Sequence, residues 1–83
     1  MRHATPDALD ELEPLLKRLR AIDGLRERKR GNFTRGSAAF LHFHVDPAGL
    51  FADVKLDGSF ERFRVSTAAE QDALLAAVRR ALG

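Results

Sequence analysis

The chain has no cysteine, no tyrosine, no tryptophan and a single methionine. The missing cysteine excludes disulfide staples, thiolate metal ligands and a thiol nucleophile. No apolar run approaches the roughly 18 residues that a membrane helix needs. Residues 1–6 lack the apolar stretch of a secretory leader. The expectation is a soluble, cytoplasmic domain with no membrane partner. Glycine is sparse: the six glycines are scattered turn markers, and none builds a phosphate-cradling loop. There is no Gly-x-Ser-x-Gly elbow, and Ser37, Ser59 and Ser66 fall at turns or caps. Linkers and repeats are also missing. What is present is a hydrophobic share of 45%, too high for a disordered chain. A chain of 83 residues makes one domain, 1–83. At 9.2 kDa it keeps roughly 4,900 Å² of surface and buries about 60% of what the open chain exposes.

The pattern predicts an α+β domain in the order α-β-β-β-β-α, an antiparallel sheet with two helices packed on one face. A first helix is expected over 6–22. Thr5 suits its N-cap and Pro6 its first position. Leu9, Leu12, Leu16, Leu19 and Ile22 form one stripe at spacings of three and four. Pro14 interrupts this pattern, because its ring opposes the carbonyl of Asp10; a kink, or a helix starting nearer Pro14, is expected. Strands are expected over 25–35, 38–45, 50–56 and 60–65, the first of them broken at Gly31-Asn32. Residues 38–45 alternate, with Ala39, Leu41, Phe43 and Val45 on one face and Phe40, His42 and His44 on the other. Asp46-Pro47-Ala48-Gly49 reads as a type I turn and Asp57-Gly58 as a two-residue hairpin. A last helix over 67–82 opens on the capping-box pair Thr67 and Glu70.

The charge balance of +2 conceals a segregation. Between Lys17 and Arg35 stand eight bases and two acids; the rest of the chain holds six bases and ten acids. Arg26, Arg28, Lys29, Arg30 and Arg35 form a candidate basic patch. Edge strands carry such residues to prevent edge-to-edge pairing, and bases late in a helix complement its dipole. The same patch also suits phosphate or acidic partners. With Phe33 nearby, it resembles a stacking-plus-phosphate arrangement for nucleic acid.

Two helices on one face leave the other face of the sheet open. If the turn at 46–49 closes a regular hairpin, His44 faces Phe51, His42 faces Asp53 and Phe40 faces Lys55 on that open side. All core-side pairs are then apolar, which supports the register. A turn at Asp57-Gly58 sets Arg62 opposite Asp53, whereas one at Gly58-Ser59 sets Arg64 there. The expected row is His42, Asp53 and an arginine. As a structural feature it is a cross-strand charge pair worth roughly 0.2–1 kcal/mol. As a site, the carboxylate fixes an imidazole tautomer and the arginine holds an anion. His42, Asp53, Arg62 and Arg64 are then the catalytic candidates. His-x-His also sets two imidazoles on one strand face, so His42, His44 and Asp46 are candidate metal ligands, with Asp53 a further donor.

The segment Phe40-Leu41-His42-Phe43-His44-Val45-Asp46, followed by Ala52-Asp53-Val54, resembles the His-Leu-His-x-Asp stretch of the small bacterial luciferase-like domain family. Asp23-Gly24-Leu25 is similar to that family's Pro-Gly-Val, and residues 63–77 to its terminal strand and alanine-rich helix. The similarity spans residues 12–80. The chain departs in having Leu41-His42 where the family has Gly-His, and in lacking the tryptophan of the terminal strand. The resemblance carries over His42, His44, Asp46 and Asp53 and implies no light emission. The element order is also similar to the larger MmcQ/YjbR-like proteins. Three function classes follow. One is a small binding or interaction module, for an unidentified protein or a small anionic ligand, or forming a homodimer through Phe40 and Phe51 on the open face. The second is an enzyme or metal site on His42, His44 and Asp53. The third is weak, electrostatic nucleic-acid binding through 17–35. The sequence names no cofactor.

Overall fold

The structure, a computed structural model, describes residues 2–83. Its elements are β1 (Arg2–His3), α1 (Pro6–Glu11), α2 (Glu13–Arg20), β2 (Arg26–Lys29), β3 (Asn32–Arg35), β4 (Ala38–Asp46), β5 (Gly49–Leu56), β6 (Ser59–Arg64) and α3 (Ala68–Leu82). The fold class is the expected α+β. The antiparallel sheet runs β2-β3-β4-β5-β6, and β1 pairs with the far end of β4. No helix among the described residues is long and apolar enough to cross a membrane.

Leucines on the three helices meet one sheet face. Leu12, Leu15, Leu16 and Leu19 pack with Leu74, Leu75 and Val78 over Phe33, Leu41, Phe43, Ala52 and Val54. The capping box of α3 forms as its sequence predicts: the Glu70 amide donates to the Thr67 hydroxyl, and the Thr67 amide to the Glu70 carboxylate.

The structure departs from the expected elements at three places, each with a physical reason, and it carries the break expected at Pro14. The stretch 6–22 is two helices meeting at Leu12. Pro14 lies in the first turn of α2, where its missing N–H costs no helical hydrogen bond. The segment 25–35 is a hairpin, β2 and β3, rather than one strand. Gly31 makes its turn at φ +82°, a conformation that strains residues with a side chain, and a Cβ there would also have to push Leu9 Cδ2 aside from 2.7 Å. Strand β1 was not expected; two residues carry no periodicity to read. Finally, Phe40 lies in the core and not on the open face: it is 3% exposed. Phe33 pairs with Leu41 and Thr34 with Ala39, so Phe40 is the extra residue of a β-bulge in β4. The bulge turns both Phe40 and Leu41 inward and ends the ladder to β5 at Leu41–Val54, without a Phe40–Lys55 pair.

Ion pairs absorb much of the basic stretch. Arg20 donates to Glu13 (2.6 Å) and Glu27 (2.5 Å), and Arg30 reaches Asp10 (2.9 Å) and Glu13 (3.0 Å). Arg18 pairs with Asp72, and Arg35 donates to the Ala81 carbonyl at the end of α3. Hydrogen bonds from Arg20 and then Arg30 hold the Glu13 carboxyl down at about 2. Burial alone would raise Glu27, but Arg20 and the Gly31 amide outweigh it and hold that carboxyl low as well. A carboxyl depressed in the folded state stabilises the fold above its unfolded pKa and loses that contribution as pH falls through its folded pKa. Thermal stability is therefore expected to fall between about pH 4.5 and about pH 2 through Glu13. Glu13→Gln should lower stability at neutral pH and flatten that acid limb. An unchanged acid limb in melting curves would show that this network does not link α1 and α2 to β2.

Candidate metal centre on the open sheet face

Two tight turns set the register that builds the site. Asp46 pairs with Gly49 across Pro47-Ala48, and the Asp46 carboxylate accepts the Ala48 amide at 3.0 Å. Leu56 pairs with Ser59 across Asp57-Gly58, both at positive φ (49° and 85°), as a type I′ hairpin requires. With these turns fixed, His42 pairs with Asp53 and Asp53 with Arg62. The expected row therefore forms, with Arg62 as its arginine. Arg64 lies two pairs further along, opposite Phe51, and donates to the Ala48 carbonyl and to Glu70.

Arg62 grips Asp53 with two parallel hydrogen bonds, Nε to Oδ1 at 2.8 Å and Nη2 to Oδ2 at 3.0 Å. That fork is the main reason the Asp53 carboxyl is held below its usual value. Two imidazoles converge on the same oxygen. His44 Nε2 lies 3.1 Å and His42 Nε2 3.6 Å from Asp53 Oδ2. Burial, and then the neighbouring His44, holds His42 below the usual histidine value, which favours the neutral imidazole at neutral pH.

His44 Nε2 is buried and makes no hydrogen bond among the described residues, although Oδ2 is near. At 3.1 Å distance is not the obstacle; the carboxylate oxygen lies off the direction in which the ring nitrogen points. Orphaned buried polar atoms are rare in folded proteins.

His42, His44 and Asp53 thus form a set whose donor atoms all lie within 4.8 Å of one another. Asp46, expected among the ligands, stands outside that set, and Asp53 takes its place. Sequence reasoning missed His3. Pairing of β1 with β4 sets His3 opposite His44, and their rings stack at 5.3 Å between centroids. His42 and His44 meet edge-on at 4.8 Å, and the Phe60 ring stands edge-on to His42 at 5.3 Å. All three histidines of the chain therefore share one sheet face. No local signal announced this, since β1 is joined to β4 only by tertiary pairing.

The other candidate surfaces lose parts. Phe33 is 2% exposed, so the aromatic of the nucleic-acid reading is in the core. Arg26, Arg28 and Lys29 remain exposed and make no ion pair among the described residues. A cleft of about 520 Å³, lined by Ala38, Phe40, Leu56, Ala77 and Arg80, opens on the helix side and shares no residue with the histidine cluster. No family model, no curated protein and no solved structure matches this chain.

Proposed function

We propose that the domain is a binding module for a divalent transition-metal ion of the zinc class, held by His42, His44 and Asp53. The convergence of two imidazole nitrogens on one carboxylate oxygen, at 3.1 and 3.6 Å, carries this reading. Metal–nitrogen bonds of 2.0–2.1 Å in a tetrahedral site separate neighbouring donors by about 3.3 Å, and the two distances bracket that value. Charge pairing alone does not account for the cluster. Arg62 already satisfies both Asp53 oxygens, so neither histidine is needed to neutralise the carboxylate. One lone pair of Oδ2 remains for a metal. Arg62 then acts as the hydrogen-bonded support that ligating carboxylates commonly have. Imidazole and carboxylate suit zinc and its neighbours better than calcium or magnesium, which prefer all-oxygen sites.

Titration of the full chain with Zn²⁺ against a chromogenic chelator tests the reading. One ion per chain is expected, with His44→Ala abolishing stoichiometric uptake. Full uptake by His44→Ala, or none by the wild-type chain, would sink it.

Self-association through the open face is a second reading, supported by Phe60, which is 46% exposed beside the histidines. With Phe40 in the core, the aromatic surface for it is smaller than the sequence implied. Light scattering on the wild-type chain and Phe60→Ser decides: a dimer that Phe60→Ser dissociates supports it, and a wild-type monomer at millimolar concentration ends it.

A further inference from the structure

Three protein ligands leave a tetrahedral ion one position short. An unassigned donor in ring contact with the set is His3. Two imidazoles bound to one tetrahedral zinc have ring centroids about 5 Å apart, given 2.0–2.1 Å bonds. The observed separations are 4.8 Å for His42–His44, 5.3 Å for His3–His44 and 6.4 Å for His3–His42. The first two are close to that value and the third is longer; the His3 donor atoms lie outside the set that the other three residues form, so binding requires His3 to move toward them. His3 is exposed and free to do so.

The element that delivers His3 is weakly held by its own means. Strand β1 is two residues long and exposed. It pairs Arg2 with Val45 and His3 with His44, and the Ala4 amide donates to the Phe43 carbonyl at 3.2 Å. A segment this short, with no side chain of its own in the core, belongs to the low-stability end of a fold. A bond from His3 to an ion already held by β4 and β5 would tie it down.

We propose that His3 is the fourth ligand of the centre, so that metal binding fastens β1 to the sheet. This inference rests on the metal reading of His42, His44 and Asp53. With β1 docked, the ion is enclosed by three imidazoles and one carboxylate and has no open position. With β1 released, the fourth position opens to water or to an external ligand. The N-terminal segment is then a metal-coupled latch, and its state reports occupancy to whatever contacts this edge of the sheet.

The test compares the full wild-type chain with His3→Ala, using Zn²⁺ affinity, the visible spectrum of bound Co²⁺ and amide exchange at Ala4. His3 is exposed on a two-residue strand, so its removal leaves the core untouched. The expected results are a loss of Zn²⁺ affinity of at least roughly 10–100-fold, the range seen when even a supporting partner is removed, and a shifted Co²⁺ spectrum as water or buffer replaces an imidazole in the fourth position. Zn²⁺ should slow exchange of the Ala4 amide in the wild type but not in His3→Ala. Wild-type affinity and an unchanged Co²⁺ spectrum in His3→Ala would overturn the inference while leaving the three-ligand reading intact. A wild-type chain that takes up neither metal overturns both.

Discussion

Phe40→Ala is expected to cost about 3–5 kcal/mol of folding stability, the usual range for removing a buried phenylalanine. A domain of this size has roughly 5–15 kcal/mol in total, and each kcal/mol moves the midpoint by about 4–8 °C. The midpoint should therefore fall by more than about 10 °C, and the variant should approach the limit of folding at ambient temperature. Phe60→Ala is the matched control. Phe60 is 46% exposed and lies outside the core cluster, so its loss should stay within about 0.5 kcal/mol, as for other surface positions. Simple alternation along residues 38–45 sets Phe40 beside His42 on the open face and predicts a small effect at both positions. The bulge predicts a large effect at one. Urea or thermal melts of the two variants separate these outcomes: equal, small losses would mean that Phe40 is not in the core.

The bulge also shows where the sequence stops being legible. From His42 to Val54 the alternation is clean, both turns carry their own chemistry, and the pairs His42–Asp53 and Asp53–Arg62 follow from local rules. Asp57-Gly58 decided between Arg62 and Arg64, because a two-residue hairpin needs two residues that tolerate positive φ. On the β3 side the partner strand is short and basic, and nothing local marks one residue of β4 as extra. A period-2 reading run past Leu41 therefore puts Phe40 on the wrong face. The basic stretch misleads for a related reason. A run of eight bases against two acids looks like one patch on paper. In the fold, α1 and α2 bring Asp10 and Glu13 back onto Arg20 and Arg30, and α3 brings Asp72 onto Arg18. These carboxylates lie outside the stretch in sequence, so only the packing reveals the neutralisation. His3 is the extreme case: its place beside His44 depends wholly on a long-range pairing of two residues.

Asp53→Asn should produce the largest effect of metal on stability, measured as a difference between variants. An ion that binds only the folded state stabilises by about 2.7 kcal/mol when present at 100 times its dissociation constant. For a domain of this size that is a rise in melting midpoint on the order of 10–20 °C. The wild-type chain should show this rise with Zn²⁺ and lose it when the ion is chelated. Asparagine keeps the shape of the side chain and a carbonyl oxygen for Arg62, but it removes the anionic oxygen on which both imidazoles converge. The Zn²⁺-dependent rise should therefore vanish. The metal-free stability should fall as well, because Asp53 is buried and Asn offers Arg62 one oxygen where the carboxylate offers two. The Zn²⁺-dependent rise, taken for each protein against its own metal-free melt, separates the readings of the row. If Asp53 serves only as the partner of Arg62, the variant loses stability and responds to Zn²⁺ as the wild type does. If it anchors a metal, the variant loses the Zn²⁺-dependent rise itself, whatever its metal-free melt. Equal Zn²⁺-dependent shifts in the two proteins would remove Asp53 from the centre, and with it the point on which His42 and His44 converge.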